Sequence, residues 1–251
     1  MERITSRKNP LLVQIRRLAS SRGARRSAGM FLGDGAKLLE EALKWGAPLE
    51  TVVYSEGLDG PELPPEVRTV RVPEDVMASI SPMESPQGAL FLCRMWDTAP
   101  PPRLEGGRYL VLDGLQDPGN VGTIWRTADA LEADGLLLVH GCADPFGPKV
   151  VRATMGACFR LPVWETGPER LADLLERSGL ALYATALRED TEDIKTADLS
   201  RSAVVIGSEG RGVSPELLAM SQRALKIPMR ERCESLNAAA AAAVVLWEMG
   251  R

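Results

Sequence analysis

The chain reads as α/β, a small N-terminal domain followed by a larger one built on a mostly parallel sheet. Three observations lead there. Strand-like and helix-like stretches alternate through residues 1–96, as in a layered α/β unit. Asp97 to Gly107, carrying Pro100, Pro101, Pro102, Gly106 and Gly107, then interrupts the pattern as a linker does. The alternation restarts at Tyr109, and its strands close in polar, glycine-bearing loops. The domains are therefore expected at 1–96 and 108–251, joined by 97–107.

In the first domain, Asn9 and Pro10 start a helix through about Ala19, with Leu11, Leu12, Ile15 and Leu18 on one face. A basic, serine-containing segment follows. Met30 to Leu32 reads as a strand, and Gly33, Asp34 and Gly35 turn it into a helix over Ala36 to Trp45. Leu49 to Tyr54, Val67 to Val72 and Gln87 to Cys93 read as strands, with a helix beginning near Pro73. In the second domain, Tyr109 to Leu112, Gly135 to Val139, Leu180 to Thr185, Ala203 to Ile206 and Ala224 to Ile227 are apolar runs of buried-strand length. Helices are expected over Val121 to Leu131, Pro148 to Gly156 and Glu169 to Ser178, and from the alanine run 238–243 onward. A sheet of five or six strands results.

Composition narrows the class. With 45% hydrophobic and 25% charged residues, the chain can bury a core and stay in water. Four cysteines without CxxC spacing and a single histidine, His140, argue against a zinc site. No apolar run approaches the roughly 18 residues of a membrane span, and the N-terminus lacks the apolar segment of a secretion signal. A cytoplasmic location is the expectation. The net charge of −4 hides an asymmetry: residues 1–30 hold eight basic side chains against one acid, which leaves −11 on the rest. Such an arm either meets a polyanion or is a solvated helix face, and charge alone does not choose.

Three loops follow strands in the second domain, where open parallel sheets bind ligands. The first, 113–122, carries Asn120 and leads to Arg126; the second, 207–212, sets Glu209 among Gly207, Gly210 and Gly212; the third, 228–237, carries Ser235 and Asn237. Plain readings exist for each. Asn120 and Ser235 serve as helix caps, Arg126 as a surface charge, and the glycines as suppliers of positive φ. The glycine loop is no phosphate cradle, because it offers a carboxylate and no lysine. Glu209 suits a ligand bearing a cation or hydrogen-bond donors, or it braces the loop. Cys233, without a neighbouring histidine, reads as a loop cysteine and not a nucleophile. No strand is followed by GxGxxG, which sets a dinucleotide enzyme aside.

In order, DGLQDPGNVGTIWRTADA, VVIGSEGRGVS, and IPM followed by ESLNAAAAAA strongly resemble the three signature motifs of the SpoU/TrmH-like RNA ribose 2′-O-methyltransferases of the SPOUT superfamily. The resemblance covers 108–251. MFLGDGAKLLEEAL is similar to the substrate-binding domain many of these enzymes carry, itself akin to a ribosomal RNA-binding protein, although Asp34 stands where that family usually has Glu. The resemblance implies S-adenosylmethionine as cofactor, a deep trefoil knot, a homodimer with sites built from both chains, and no metal. It makes Asn120, Arg126, Glu209, Ser235 and Asn237 the catalytic candidates. Thr185, Gly207, Gly210, Ile227, Met229 and Leu236 become the candidate cofactor lining. Arg16, Arg17, Arg25, Arg26, Lys149 and Arg152 become candidate RNA contacts. Arg230 to Cys233 depart from the family, which often has a glycine there. Ribosomal RNA is the expected substrate, transfer RNA the runner-up, and a non-catalytic RNA-binding factor the alternative of a different class.

Overall fold

The computed structural model describes residues 2–186, 191–230, 232 and 235–251. Glu231, Cys233 and Glu234, which belong to the third loop, lie outside the described residues. The chain forms two units, one of 1–96 with 144–159, the other of 97–143 with 160–251. Segment 144–159, expected in the second domain, thus packs within the first unit.

The first unit contains β1 (Glu2–Arg3), α1 (Pro10–Ser20), α2 (Arg22–Ala28), β2 (Met30–Asp34), α3 (Ala36–Lys44), β3 (Leu49–Ser55), β4 (Arg68–Val72), α4 (Glu74–Ile80) and β5 (Ala89–Arg94). Its sheet runs β1-β4-β3-β5-β2, parallel across the first three and antiparallel where β5 meets β3 and β2. Asn9 caps α1 by accepting from Leu11 N at 2.9 Å, and Pro10 occupies the first turn, where a missing N–H is harmless. Leu11, Leu12, Ile15 and Leu18 are buried with Leu32, Val53, Val70 and Leu90 in one core. The basic segment 22–28 folds as α2, capped by Ser21 and ended by Gly29 at φ +63°. With no apolar stripe, it carried no periodic signal. Gly33 is needed in β2 because a Cβ there would lie 2.1 Å from the ring of Phe91, its partner in register. Asp34 is buried and accepts from Ser81 Oγ at 2.6 Å; burial raises its pKa above the usual carboxylate range despite that bond.

The second unit contains β6 (Arg108–Asp113), α5 (Pro118–Ala130), β7 (Gly135–Val139), β8 (Val163–Glu165), α7 (Pro168–Ser178), β9 (Ala181–Thr185), β10 (Glu192–Asp193), β11 (Ser202–Gly207), α8 (Pro215–Met220), β12 (Arg223–Lys226) and α9 (Ala238–Met249); α6 (Pro148–Ala153) belongs to the first unit. Seven parallel strands run in the order β10-β12-β9-β11-β6-β7-β8. The two extra strands, β8 and β10, are edges of three and two residues, too short to show a period. The central strands are buried along nearly their whole length, which is why they read as continuous apolar runs. Leu171, Leu174 and Leu175 of α7 pack with Val111, Leu137, Leu182 and Val205 in the core.

Candidate functional site

The site lies where β12, β9 and β11, neighbours in the sheet, end. β9 ends at Thr185, β11 at Gly207 and β12 at Lys226. Beyond them opens a cavity of about 290 Å³, lined by Thr185, Gly207, Glu209, Ile227, Met229 and Leu236 among others. Its size is at the small end of ligand pockets.

The glycine loop owes its shape to Gly207. A Cβ there would lie 2.1 Å from Gly212 C and 2.3 Å from Val213 N, so the chain can fold back on itself only with hydrogen at this position. Ser208 N donates to Gly212 O at 3.1 Å and Gly212 N to Ser208 O at 2.8 Å, closing the loop, and Gly212 sits at φ +68°. At Gly210 nothing among the described residues lies within 4 Å of an added Cβ, and this residue is not part of the lining.

The three loops meet through side chains. Asn120 Nδ2 donates to Glu209 Oε1, and Asn237 Nδ2 donates to Asn120 Oδ1 at 3.1 Å. Asn237 Oδ1 accepts from Ala239 N at 2.9 Å and Ala240 N at 3.3 Å, so it caps α9 at the same time. Two capping expectations change accordingly. Asp117, not Asn120, caps α5, accepting from Asn120 N at 2.7 Å, which places Asn120 inside the first turn with its amide free to reach Glu209. Asn237, not Ser235, caps α9, and Ser235 lines the cavity.

Against known proteins, the profile of the SpoU rRNA methylase family matches residues 107–247, and that of an MRM3-like substrate binding domain matches residues 9–90. The chain belongs to the SpoU rRNA methylase family. It is 37% identical to an uncharacterized tRNA/rRNA methyltransferase of Synechocystis, across 99% of this chain and 93% of that protein. It is 33% identical to the 23S rRNA (guanosine(2553)-2′-O)-methyltransferase RlmP of Bacillus subtilis, across 99% of both. Among solved structures, an AdoMet-bound rRNA methyltransferase from Sinorhizobium meliloti superposes with a TM-score of 0.86 at 31% identity, covering 99% of this chain and 97% of that one.

S-adenosylmethionine, the cofactor of SpoU methylases, suits this cavity. Ile206, Leu225, Ile227, Met229 and Leu236 give apolar walls, and strand-end backbone gives hydrogen-bonding groups. The Glu209 carboxylate at the lip favours a ligand carrying positive charge and disfavours a phosphate. Thr185 Oγ1 donates to Val205 O at 2.8 Å, which fixes the hydroxyl and leaves its oxygen to accept. The sequence reading missed Ala186, Ile206, Ser208, Gly212, Leu225, Lys226, Ala238 and Ala241, all cavity-lining. The ends of the strands were the available signal for Ile206, Leu225 and Lys226; the two alanines, inside a uniform run, gave none.

Arg126 stands apart. It is exposed on α5, is not in the cavity lining, and makes no side-chain hydrogen bond or ion pair among the described residues. The candidate RNA contacts divide. Arg17 and Lys149 are exposed. Arg16 is half-buried and donates to Arg7 O at 2.5 Å, and Arg26 lies over the Phe146 ring at 5.5 Å from its centroid. Arg25 does not fit the expectation. It is buried, ion-paired to Asp144 at 2.6 Å, and donates to Leu18 O at 2.6 Å, so its guanidinium is occupied by the protein itself. Arg152 is half-buried, and its Nη1 has no hydrogen-bond partner among the described residues.

Proposed function

We infer that this chain is an S-adenosylmethionine-dependent RNA ribose 2′-O-methyltransferase acting on ribosomal RNA. The observation that carries the reading is the Asn237–Asn120–Glu209 relay at the lip of the strand-end cavity, formed by residues from all three signature loops. Ribosomal RNA is favoured over transfer RNA because the whole chain, first unit included, aligns with the B. subtilis ribosomal RNA enzyme.

The residues that would hold the cofactor are those of the cavity: Thr185, Gly207, Ile227, Met229 and Leu236, with the Glu209 carboxylate at its edge to favour a positively charged ligand. When bound, S-adenosylmethionine supplies a methyl group already activated on a sulfonium. The protein must align a ribose hydroxyl with that methyl and help the hydroxyl lose its proton. Arg126 is a poor base, since its guanidinium offers only N–H donors and no acceptor for a proton. Its work is to grip a phosphate and stabilise the developing alkoxide. Asn120 and Asn237 hold Glu209 and the loop in register around the cofactor.

A homodimer belongs to the same reading. Arg126 is exposed and does not line its own chain's cavity, as is expected of a residue serving a second copy's cavity. Trp247 of α9 is 62% exposed, an apolar anchor suited to an interface. A knotted C-terminal path is part of it too; the turn at Ile194–Thr196 touches α9, as a loop through which that segment passes would.

Transfer of labelled methyl from S-adenosylmethionine to unmodified ribosomal and transfer RNA tests the proposal. Label on a ribose of ribosomal RNA, abolished in Arg126→Ala, is the expected result. No transfer and no cofactor binding would overturn it.

A further inference from the structure

The chain's only histidine is not part of the relay. His140 follows β7 directly and holds a left-handed backbone, φ +53°, unusual for a residue with a side chain. Its ring lies between two carboxylates. Nδ1 is 2.6 Å from Asp113 Oδ1, and Nε2 is 3.1 Å from Glu216 Oε2 in the first turn of α8. Both partners only accept, and a neutral imidazole offers one donor, so the doubly bonded ring is the imidazolium.

Asp113 makes this arrangement matter for the site. It is 4% exposed and pairs in register with Gly207, where the glycine loop begins. Its Oδ2 accepts from Ser214 N at 2.6 Å, where that loop ends. One carboxylate therefore stands at the loop's start and grips its finish. Asp113 also opens the stretch leading to Asn120, and that stretch is zipped to the histidine's own: Gly114 N donates to Val139 O at 3.0 Å, Gln116 Nε2 to Gly141 O at 2.9 Å, and Ala143 N to Leu115 O at 2.8 Å.

We propose that His140 is a positioning residue which, as an imidazolium clamped between Asp113 and Glu216, holds the glycine loop in its cofactor-receiving shape. The inference rests on the reading that the strand-end cavity takes S-adenosylmethionine. The titratable groups facing the ring are Asp113 of β6 and Glu216 of α8, and the hydrogen bond to Asp113 is the main cause that raises the His140 pKa above its ordinary value, against the opposing effect of burial. The sign follows. A raised histidine pKa means the clamp is complete below the unfolded value and is lost as pH rises through the folded one. Cofactor binding to the clamped form must in turn raise the His140 pKa further.

The full-length protein is labelled at its one histidine, so a single imidazole signal reports the titration. S-adenosylmethionine affinity is measured by calorimetry over the same titration, from below the ordinary histidine value upward. In the wild type, affinity should fall about tenfold as His140 loses its proton, the size expected for one lost charge-assisted hydrogen bond. His140→Gln should bind as weakly as the alkaline wild type at every pH, with a flat profile. Glu216→Gln, on a half-exposed side chain, should move the histidine titration and the affinity midpoint together to lower pH, and serves should His140→Gln fold poorly. Wild-type affinity that ignores the histidine titration, or a Glu216→Gln midpoint that stays in place, would overturn the proposal. A wild type that binds no S-adenosylmethionine at any pH would overturn the cavity reading and this inference with it.

Discussion

The amide of Asn120 shows how much one side chain can do through the direction of its hydrogen bonds. Its Nδ2 faces a carboxylate and its Oδ1 faces another amide, so only asparagine satisfies both neighbours at this length. Asn120→Asp keeps the shape and places a carboxylate against Glu209. It should weaken methyl transfer by about tenfold or more, and adding Glu209→Gln, which restores a donor, should recover most of the loss. A double-mutant cycle on the transfer rate measures this, and additive effects would mean that the contact carries no coupling. Arg25 makes the opposite point. In the sequence it is one arginine of a basic arm; in the fold it is a buried ion pair with Asp144. Arg25→Ala leaves that carboxylate uncompensated and should cost about 3–5 kcal/mol in denaturant unfolding. Arg17→Ala should leave stability unchanged and flatten the salt dependence of RNA binding by about one phosphate contact.

At the scale of the element, the loop after β11 separates glycines that look alike in the sequence. Gly207→Ala must push a methyl into the backbone of Gly212 and Val213 and should abolish cofactor binding measured by calorimetry. Gly210→Ala meets nothing among the described residues and should bind within about twofold of wild type, since a surface change away from packed atoms costs little. Sequence reading could find the loop, because six residues with three glycines after an apolar run are conspicuous. It could not rank the glycines, because that depends on which backbone the loop folds back upon. The helix caps follow the same logic. Asp117 and Asn120 are both good caps by type, and only the register of α5 decides which one is released for the site. Strands buried on both faces were legible as apolar runs, whereas α2, without an apolar stripe, and the edges β8 and β10 carried no period.

At the scale of the molecule, alternation revealed the α/β class, but not that 97–107, expected as a linker, would pack as part of the second unit, nor that 144–159 would leave that unit to pack with the first. That excursion follows from side chains far apart in sequence, among them Asp144 meeting Arg25 and Phe146 meeting Phe31 and Trp96. Arg126 lies outside the lining of its own chain's cavity, and this yields the sharpest test of the assembly. If each site combines one chain's cavity with the other chain's arginine, two dead variants can rescue each other. Arg126→Ala keeps its cavity and lacks the arginine; Gly207→Ala keeps the arginine and lacks the cavity. In a two-fold dimer, random pairing makes half the dimers mixed, and each mixed dimer has one complete site of two. Mixing the variants in equal amounts, with unfolding and refolding to exchange subunits, should restore roughly a quarter of wild-type methyl transfer. Were Arg126 to act on its own chain's cavity, every site in the mixture would carry one of the two defects, and the mixture would remain as inactive as its parts.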